Sequence, residues 1–131
     1  MDTIANMLSQ LKNASLARKE FVEIPYSKTV EAVLRVIEKH GFVKKVGIFK
    51  QKDSERKSLH IDLSYDVESQ PMLSDAKRVS KPGRRMYLQS KEIKRVNPKF
   101  GLVIMSTPQG IMTGEQARRS KLGGEVICEI L

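Results

Sequence analysis

Residues 101–131 read GLVIMSTPQGIMTGEQARRSKLGGEVICEIL. The apolar run at 101–105 has the length and content of a short buried strand. It leads straight into Ser106-Thr107-Pro108-Gln109-Gly110, a hydroxyl-rich turn. Thr113-Gly114-Glu115-Gln116 has the form of a capping box, whose side chains satisfy the orphan amides of a helix start. The helix must be short, because Gly123-Gly124 ends it, and residues 125–131 close as a strand. This stretch therefore predicts a mainly β lobe with one short helix. The turn itself admits three readings: a nucleophile at a strand end, a phosphate cradle, or a plain reversal of the chain.

Upstream, residues 72–81 predict a strand, Pro82-Gly83 a turn and 84–88 a return strand. Residues 90–99 are basic and irregular, with room for one helical turn, and 66–71 read as a linker. The N-terminal half has a different texture. Asp2 or Thr3 caps a first helix with Ile4, Met7, Leu8 and Leu11 on one face. Residues 21–24 form a short strand ended by Pro25. Ser27 caps a second helix striped by Val30, Val33, Leu34 and Ile37, and Gly41 stops it. Strands at 42–49 and 58–65 flank the charged turn at 52–56. The second alternates Leu59, Ile61, Leu63 and Tyr65 with polar residues, so one of its faces is buried. The predicted class is α+β: an α-β-α-β-β lobe over residues 1–66, and a smaller, mainly β lobe over 67–131.

Composition narrows the function. A chain of 131 residues that is 40% apolar has room for one domain or two small lobes. No apolar run approaches the length of about 18 residues that spans a bilayer, and Asp2 and Asn6 interrupt any secretory core. The single Cys128 forms no internal disulfide, which fits a reducing, cytoplasmic setting. Twenty-four basic against fifteen acidic residues leave a net charge of +9. The excess is uneven, about +3 over 1–66 and +6 over 67–131, and within 76–99 only Glu92 opposes nine cations. Such a block favours a polyanionic partner, because neutralised phosphates release counterions; charge alone leaves a solvated basic face as the alternative.

Catalysis finds no partners. His40 sits at a helix end and His60 on the polar face of a strand, neither with a carboxylate or cysteine at a ligand-like spacing. Cys128 lies among apolar residues of a terminal strand, and Asp62 and Asp66 fit a wet strand face. No nucleophile elbow surrounds Ser106, and no phosphate-binding P-loop exists. No catalytic residue, metal, cofactor, membrane or small-molecule substrate is expected. RNA fits better. Ser106 and Thr107 offer hydroxyls suited to phosphate, 2′-OH and base edges, and Gly110 lets backbone come close to a ligand. Tyr87 stands beside Arg85 and the basic segment, where its ring can stack on an unpaired base or pack against its own strand.

The motifs R-V-S-K-P-G-R-R-M-Y (78–87), G-L-V-I-M-S-T-P-Q-G-I-M-T (101–113), A-R (117–118) and G-G-E-V-I-C (123–128) strongly resemble small-subunit ribosomal protein eight of bacteria and plastids. D-T-I-A-N-M-L-S-Q-L-K-N (2–13), P-Y-S-K (25–28) and G-F-V (41–43) also match, so the resemblance covers nearly the whole chain. It implies a primary rRNA binder that clamps an irregular stem in the central domain and helps assemble the platform. It implies neighbouring ribosomal proteins, protein five among them. An extraribosomal role follows as the alternative, repression of its own operon messenger through the same surface. The compartment is then cytoplasm, or plastid in a plant or alga. Carried over residue by residue, the loop contacts are Ser106, Thr107, Gln109 and Gly110, with Tyr87 as a stacking or sugar contact. Lys81, Arg84 and Arg85 supply charge, and Gly123, Gly124 and Glu125 line the same surface. Lys12, Asn13 and Lys28 match positions that meet a second rRNA segment. Three departures stand out: Pro108 replaces a serine of the loop, Ala14 a glycine after the first helix, and Gly114 an aspartate at the short helix.

Overall fold

A computed structural model describes residues 2–50, 52–53, 55–93 and 101–131. Helix α1 (Thr3–Leu16) starts at Asp2, whose carboxylate accepts from the amides of Ile4 and Ala5, both at 3.2 Å. It buries Ile4, Met7, Leu8 and Leu11 as their spacing predicts, and Ala14 and Ser15 besides. After β1 (Phe21–Pro25), Ser27 caps α2 (Lys28–Lys39), which buries Val30, Val33, Leu34 and Ile37. His40 occupies the C-cap, its Nδ1 3.0 Å from the Val36 carbonyl oxygen. Among the described residues no helix is long and apolar enough to cross a membrane.

Strands β2 (Val43–Lys50) and β3 (Lys57–Leu63) complete an antiparallel sheet in the order β1-β3-β2. Its inner face carries Ile24, Val46, Leu59 and Ile61 against the helices. As an edge strand, β2 exposes backbone groups that would template another strand. At Val46 a helix closes them: Glu38 Oε2 accepts from the amide at 2.6 Å, and Arg35 Nη1 donates to the carbonyl at 2.7 Å.

The second sheet contains β4 (Ala76–Arg78), β5 (Tyr87–Leu88), β6 (Leu102–Thr107), β7 (Gly110–Thr113) and β8 (Gly124–Ile130). Strand β8 is its axis. It pairs antiparallel with β6 along one edge, and with β4 and then β5 along the other. One hydrophobic cluster runs from both helices and the first sheet into Leu73, Ile104, Ile127, Cys128 and Ile130. A smaller one, Ile93, Met105, Ala117 and Val126, packs with α3 (Gly114–Arg119) on the other side of the second sheet. Each fully buried aliphatic side chain of this kind stabilises the fold by about 1.5–3 kcal/mol.

Several sequence expectations are corrected here. The strand foreseen at 72–81 shrinks to Ala76–Arg78, because the amides of Ser74 and Asp75 both turn to the Leu131 carbonyl. Residues 84–88 are no return strand: β4 and β5 run the same way along β8, so β8 keeps partners at both ends of that edge. Between them Lys81-Pro82-Gly83-Arg84 bulges out as a turn, closed by reciprocal Lys81–Arg84 backbone bonds at 3.0 and 2.9 Å. The linker expected at 66–71 is a closed turn, with Asp66 accepting from the Glu68 and Gln70 amides at 2.8 and 2.9 Å. Helix α3 ends before Gly123-Gly124. Lys121 takes the left-handed conformation at φ 56°, and the Leu122 amide reaches the Ala117 carbonyl at 2.8 Å, which completes a Schellman closure. The helical turn allowed for at 90–99 is a 3₁₀ turn at Ser90–Glu92, and residues 94–100 lie outside the described residues.

Arg78 ties the two ends of the fold together. Its Nε donates to Asp2 Oδ2 at 2.9 Å and its Nη1 to the Ile127 carbonyl at 2.7 Å, with only 10% and 19% of the Arg78 and Asp2 side chains exposed. Burial alone would raise the Asp2 carboxyl. The hydrogen bond and charge of Arg78, with the Ala5 and Ile4 amides, outweigh it and hold the carboxyl below its ordinary value. Stability from this pair is therefore present above the ordinary value of 3.8 and lost as pH falls through the lower folded value. Asp2→Asn keeps a good N-cap but removes the charge. It should cost about 1.5–3 kcal/mol at neutral pH, the scale of a charge-assisted bond. In denaturant titrations the gap from the parent should close as pH drops below 3.8; a gap independent of pH would show that the charge is irrelevant.

Candidate nucleic-acid interface

Cross-strand register brings three of the sequence candidates into one line. Tyr87 of β5 faces Glu125 of β8, Glu125 faces Ser106 of β6, and Ser106 faces Ile111 of β7. Facing residues share a side of the sheet, so the Tyr87 ring, the Glu125 carboxylate and the Ser106 hydroxyl form a row. A bulge in β8 makes this possible. The register slips at Ile104/Met105, so that Cys128 faces Ile104 while Val126, two residues away, faces Met105. The extra residue, Ile127, resets the alternation and puts Glu125 on the side that carries Cys128 and Ile104 into the main core. One sheet face thus passes from core to surface. Tyr87 is 68% exposed, and the Ser106 hydroxyl makes no hydrogen bond among the described residues.

Thr107 points the other way and is occupied. Its hydroxyl donates to the Gly110 carbonyl at 2.8 Å and accepts from the Gln109 amide at 3.2 Å. The β6–β7 connection is a hairpin with Pro108-Gln109 at its tip, so strand β7 was missed in the sequence. Pro108 holds its φ near −65° and excludes the primed turns common in two-residue hairpins; Gly110, at φ 119°, takes up the twist instead. Gln109 and Gly110 are exposed at this tip, next to the row.

Gly123 and Gly124 act through size. A Cβ on Gly124 would lie 2.1 Å from the Ser106 carbonyl oxygen, and one on Gly123 would lie 2.7 Å from the Leu88 carbonyl oxygen. Arg85 Nη1 reaches Glu125 Oε2 at 3.3 Å and so stands beside the row. Lys81 and Arg84 flank the protruding turn over a groove of about 420 Å³ floored by Val79 and Met86. The base of that turn is fixed by Ser80, which is fully buried and accepts from the Met86 amide at 3.0 Å. Lys12, Asn13 and Lys28 are not in the row. Lys12 and Asn13 belong to α1, with Lys12 Nζ 3.0 Å from the Asp75 carboxylate, and Lys28 is the first residue of α2. Arg78, one of the nine cations of 76–99, is internal.

The row offers a hydroxyl, without a partner among the described residues, that donates and accepts, a carboxylate that accepts, and an exposed ring beside a guanidinium. These suit 2′-OH groups, base edges and an unstacked base. Nucleophilic chemistry is disfavoured at Cys128, where burial pushes the thiol up to about 12. Among the described residues no group of three or more His, Cys, Asp or Glu side chains could hold a metal.

The family model for ribosomal protein S8 matches residues 2–131. The chain belongs to the ribosomal protein S8 family. It is 42% identical to the small ribosomal subunit protein uS8 of Helicobacter pylori strain 26695 over 130 residues, 98% of this chain and 97% of that protein. It is 45% identical to the protein of the same name from Caldanaerobacter subterraneus subsp. tengcongensis over 129 residues, 98% and 96% of the two chains. The resemblance stated from the motifs is thereby established.

The geometry separates two hydroxyls that look alike in the sequence. Thr107→Ala should lower the unfolding free energy by about 1 kcal/mol, the net worth of a typical hydrogen bond. Ser106→Ala should leave it within about 0.5 kcal/mol. Gly124→Ala should cost about 1–3 kcal/mol, as overpacking against backbone does. Calorimetric melting of the three variants checks the order.

Proposed function

We propose that this protein is a structural constituent of the small ribosomal subunit that binds small-subunit rRNA directly. It grips an irregular stem in the central domain and helps the platform assemble. Its membership of a family whose curated relatives are named small ribosomal subunit proteins supports this reading. The single observation that carries the RNA surface is the row Tyr87–Glu125–Ser106, aligned and open on the half of the chain with the larger positive charge.

Two terms make up the binding. Lys81, Arg84, Arg85 and the other cations of 76–99, the internal Arg78 apart, attract phosphates over distances of a Debye length, about 8–10 Å at physiological salt. This term is indifferent to sequence. Selection comes from the row and the tip beside it. The Ser106 hydroxyl and Glu125 carboxylate read sugar and base edges, and Tyr87 stacks on a base that only a distorted stem leaves unpaired. A regular A-form helix presents no such base. Glu125 is held for this role by Arg85, which also softens the cost of bringing a carboxylate near phosphate. Lys12, Asn13 and Lys28 then meet a second rRNA segment from the helical side.

Binding isotherms over a salt series separate the terms. Ser106→Ala should weaken the cognate stem by about 1–3 kcal/mol and leave random duplex unchanged. Arg84→Ala with Arg85→Ala should weaken both RNAs and reduce the slope of log K against log salt by about one for each phosphate no longer neutralised. Equal loss of cognate and random duplex in Ser106→Ala would show that the row does not select.

A further inference from the structure

Three aromatic side chains gather on the outer face of the first sheet, away from both helices. Phe21 of β1 stacks on His60 of β3 with centroids 4.7 Å apart and planes 23° apart, and Phe49 of β2 meets the same ring edge-on at 6.3 Å and 78°. Register explains the gathering. Phe21 faces Asp62, which faces Lys45; Glu23 faces His60, which faces Gly47; Phe49 faces Ser58. The alternate residues Val22, Ile24, Val46, Leu59 and Ile61 go to the core side. Phe21 remains 45% exposed, and a Cβ at Gly47 would meet nothing within 4 Å, so an open hollow adjoins the imidazole.

Charge selects the occupant. The chain carries +9, yet among the positions that strand pairing assigns to this face Glu23 and Asp62 stand against Lys45. Asp62 Oδ1 lies 3.0 Å from His60 Nε2, while Glu23 has no hydrogen-bond or ion-pair partner among the described residues. A phosphate backbone laid here would meet two carboxylates. A guanidinium instead stacks on aromatic rings and pairs with carboxylates, satisfying both features at once. Lysine does only the second well, because its ammonium cannot stack as a plane.

We infer that this face docks an arginine-rich polypeptide segment, with an arginine lying over Gly47 against His60 and Phe49 and with Asp62 and Glu23 as counter-charges. The surface belongs to a different sheet from the Tyr87–Glu125–Ser106 row, so it serves a protein partner and leaves the RNA surface free.

The test is an NMR titration of the isotopically labelled full-length protein with a short synthetic peptide alternating arginine and serine. A lysine–serine peptide of equal charge and an oligouridine are titrated alongside. The arginine peptide should shift the signals of Phe21, Gly47, Phe49 and His60 in a saturable way. Its affinity should exceed that of the lysine peptide, and Glu23→Gln with Asp62→Asn should lower it about threefold or more, within the range of exposed ion pairs. Phe21→Ala should weaken it as well; because Glu23 and Asp62 are not core residues, their double variant carries the test if Phe21→Ala fails to fold. Failure of the arginine peptide to move these four residues would overturn the inference, as would equal binding by the carboxamide variant. Shifts produced by oligouridine and not by the peptide would overturn it in favour of a nucleic-acid platform.

Discussion

The arrangement of the second sheet depends on one close approach. The backbone of Gly124 passes so near the Ser106 carbonyl that a Cβ there would stand 2.1 Å from the oxygen. No side chain fits that gap, so the register of β8 against β6 is set by a residue that has none. From that register the rest follows. Glu125 falls opposite Ser106, Tyr87 falls opposite Glu125, and the bulge at Ile127 lets the same face dive into the core as Ile104 and Cys128. A surface built on neighbouring strands in this way holds its groups at fixed spacing, with little left to order at binding. The exposed hairpin tip at Pro108-Gln109 is stiffened for the same reason, by a proline ring and by the two bonds of the Thr107 hydroxyl.

Charge is divided as carefully as shape. Arg78 lies in the most basic stretch of the chain, but it is used inside, bonded to Asp2 and to the Ile127 carbonyl. It joins the start of α1 to the axis strand of the second sheet, and so fixes the helical part of the molecule against that sheet. Of the cations that remain outside, Lys81 and Arg84 flank the protruding turn and Arg85 stands beside the row. The first sheet turns a different chemistry outward, with Phe21, His60 and Phe49 between two carboxylates.

Local rules carried much of this in the sequence. The caps at Asp2, Ser27 and Thr113 and the apolar stripes of the two long helices are interactions within three or four residues, and they were legible for that reason. Helix ends were legible only where glycine marked them. Helices α1, α2 and α3 each close with Schellman bonds, but Arg18 and Lys121 take the left-handed position that Gly41 takes in α2, and nothing in an arginine or lysine announces it. Long-range pairing was the other loss. That β4 and β5 share one edge of β8 depends on the partner strand, far away in sequence. The bulge at Ile127 breaks the period-two pattern from which faces are read. The motif resemblance named Ser106, Thr107, Tyr87 and the Gly-Gly-Glu segment together, yet it could not tell a hydroxyl turned outward from one consumed in the hairpin.

Cross-saturation NMR on the labelled protein bound to its rRNA stem tests the central claim most directly. Irradiating the RNA should attenuate Tyr87, Ser106, Gly110, Gly124 and Glu125 as one contiguous patch, with Phe21, His60 and Phe49 untouched. Attenuation centred on the first sheet, or scattered over lysines and arginines without the row, would contradict it.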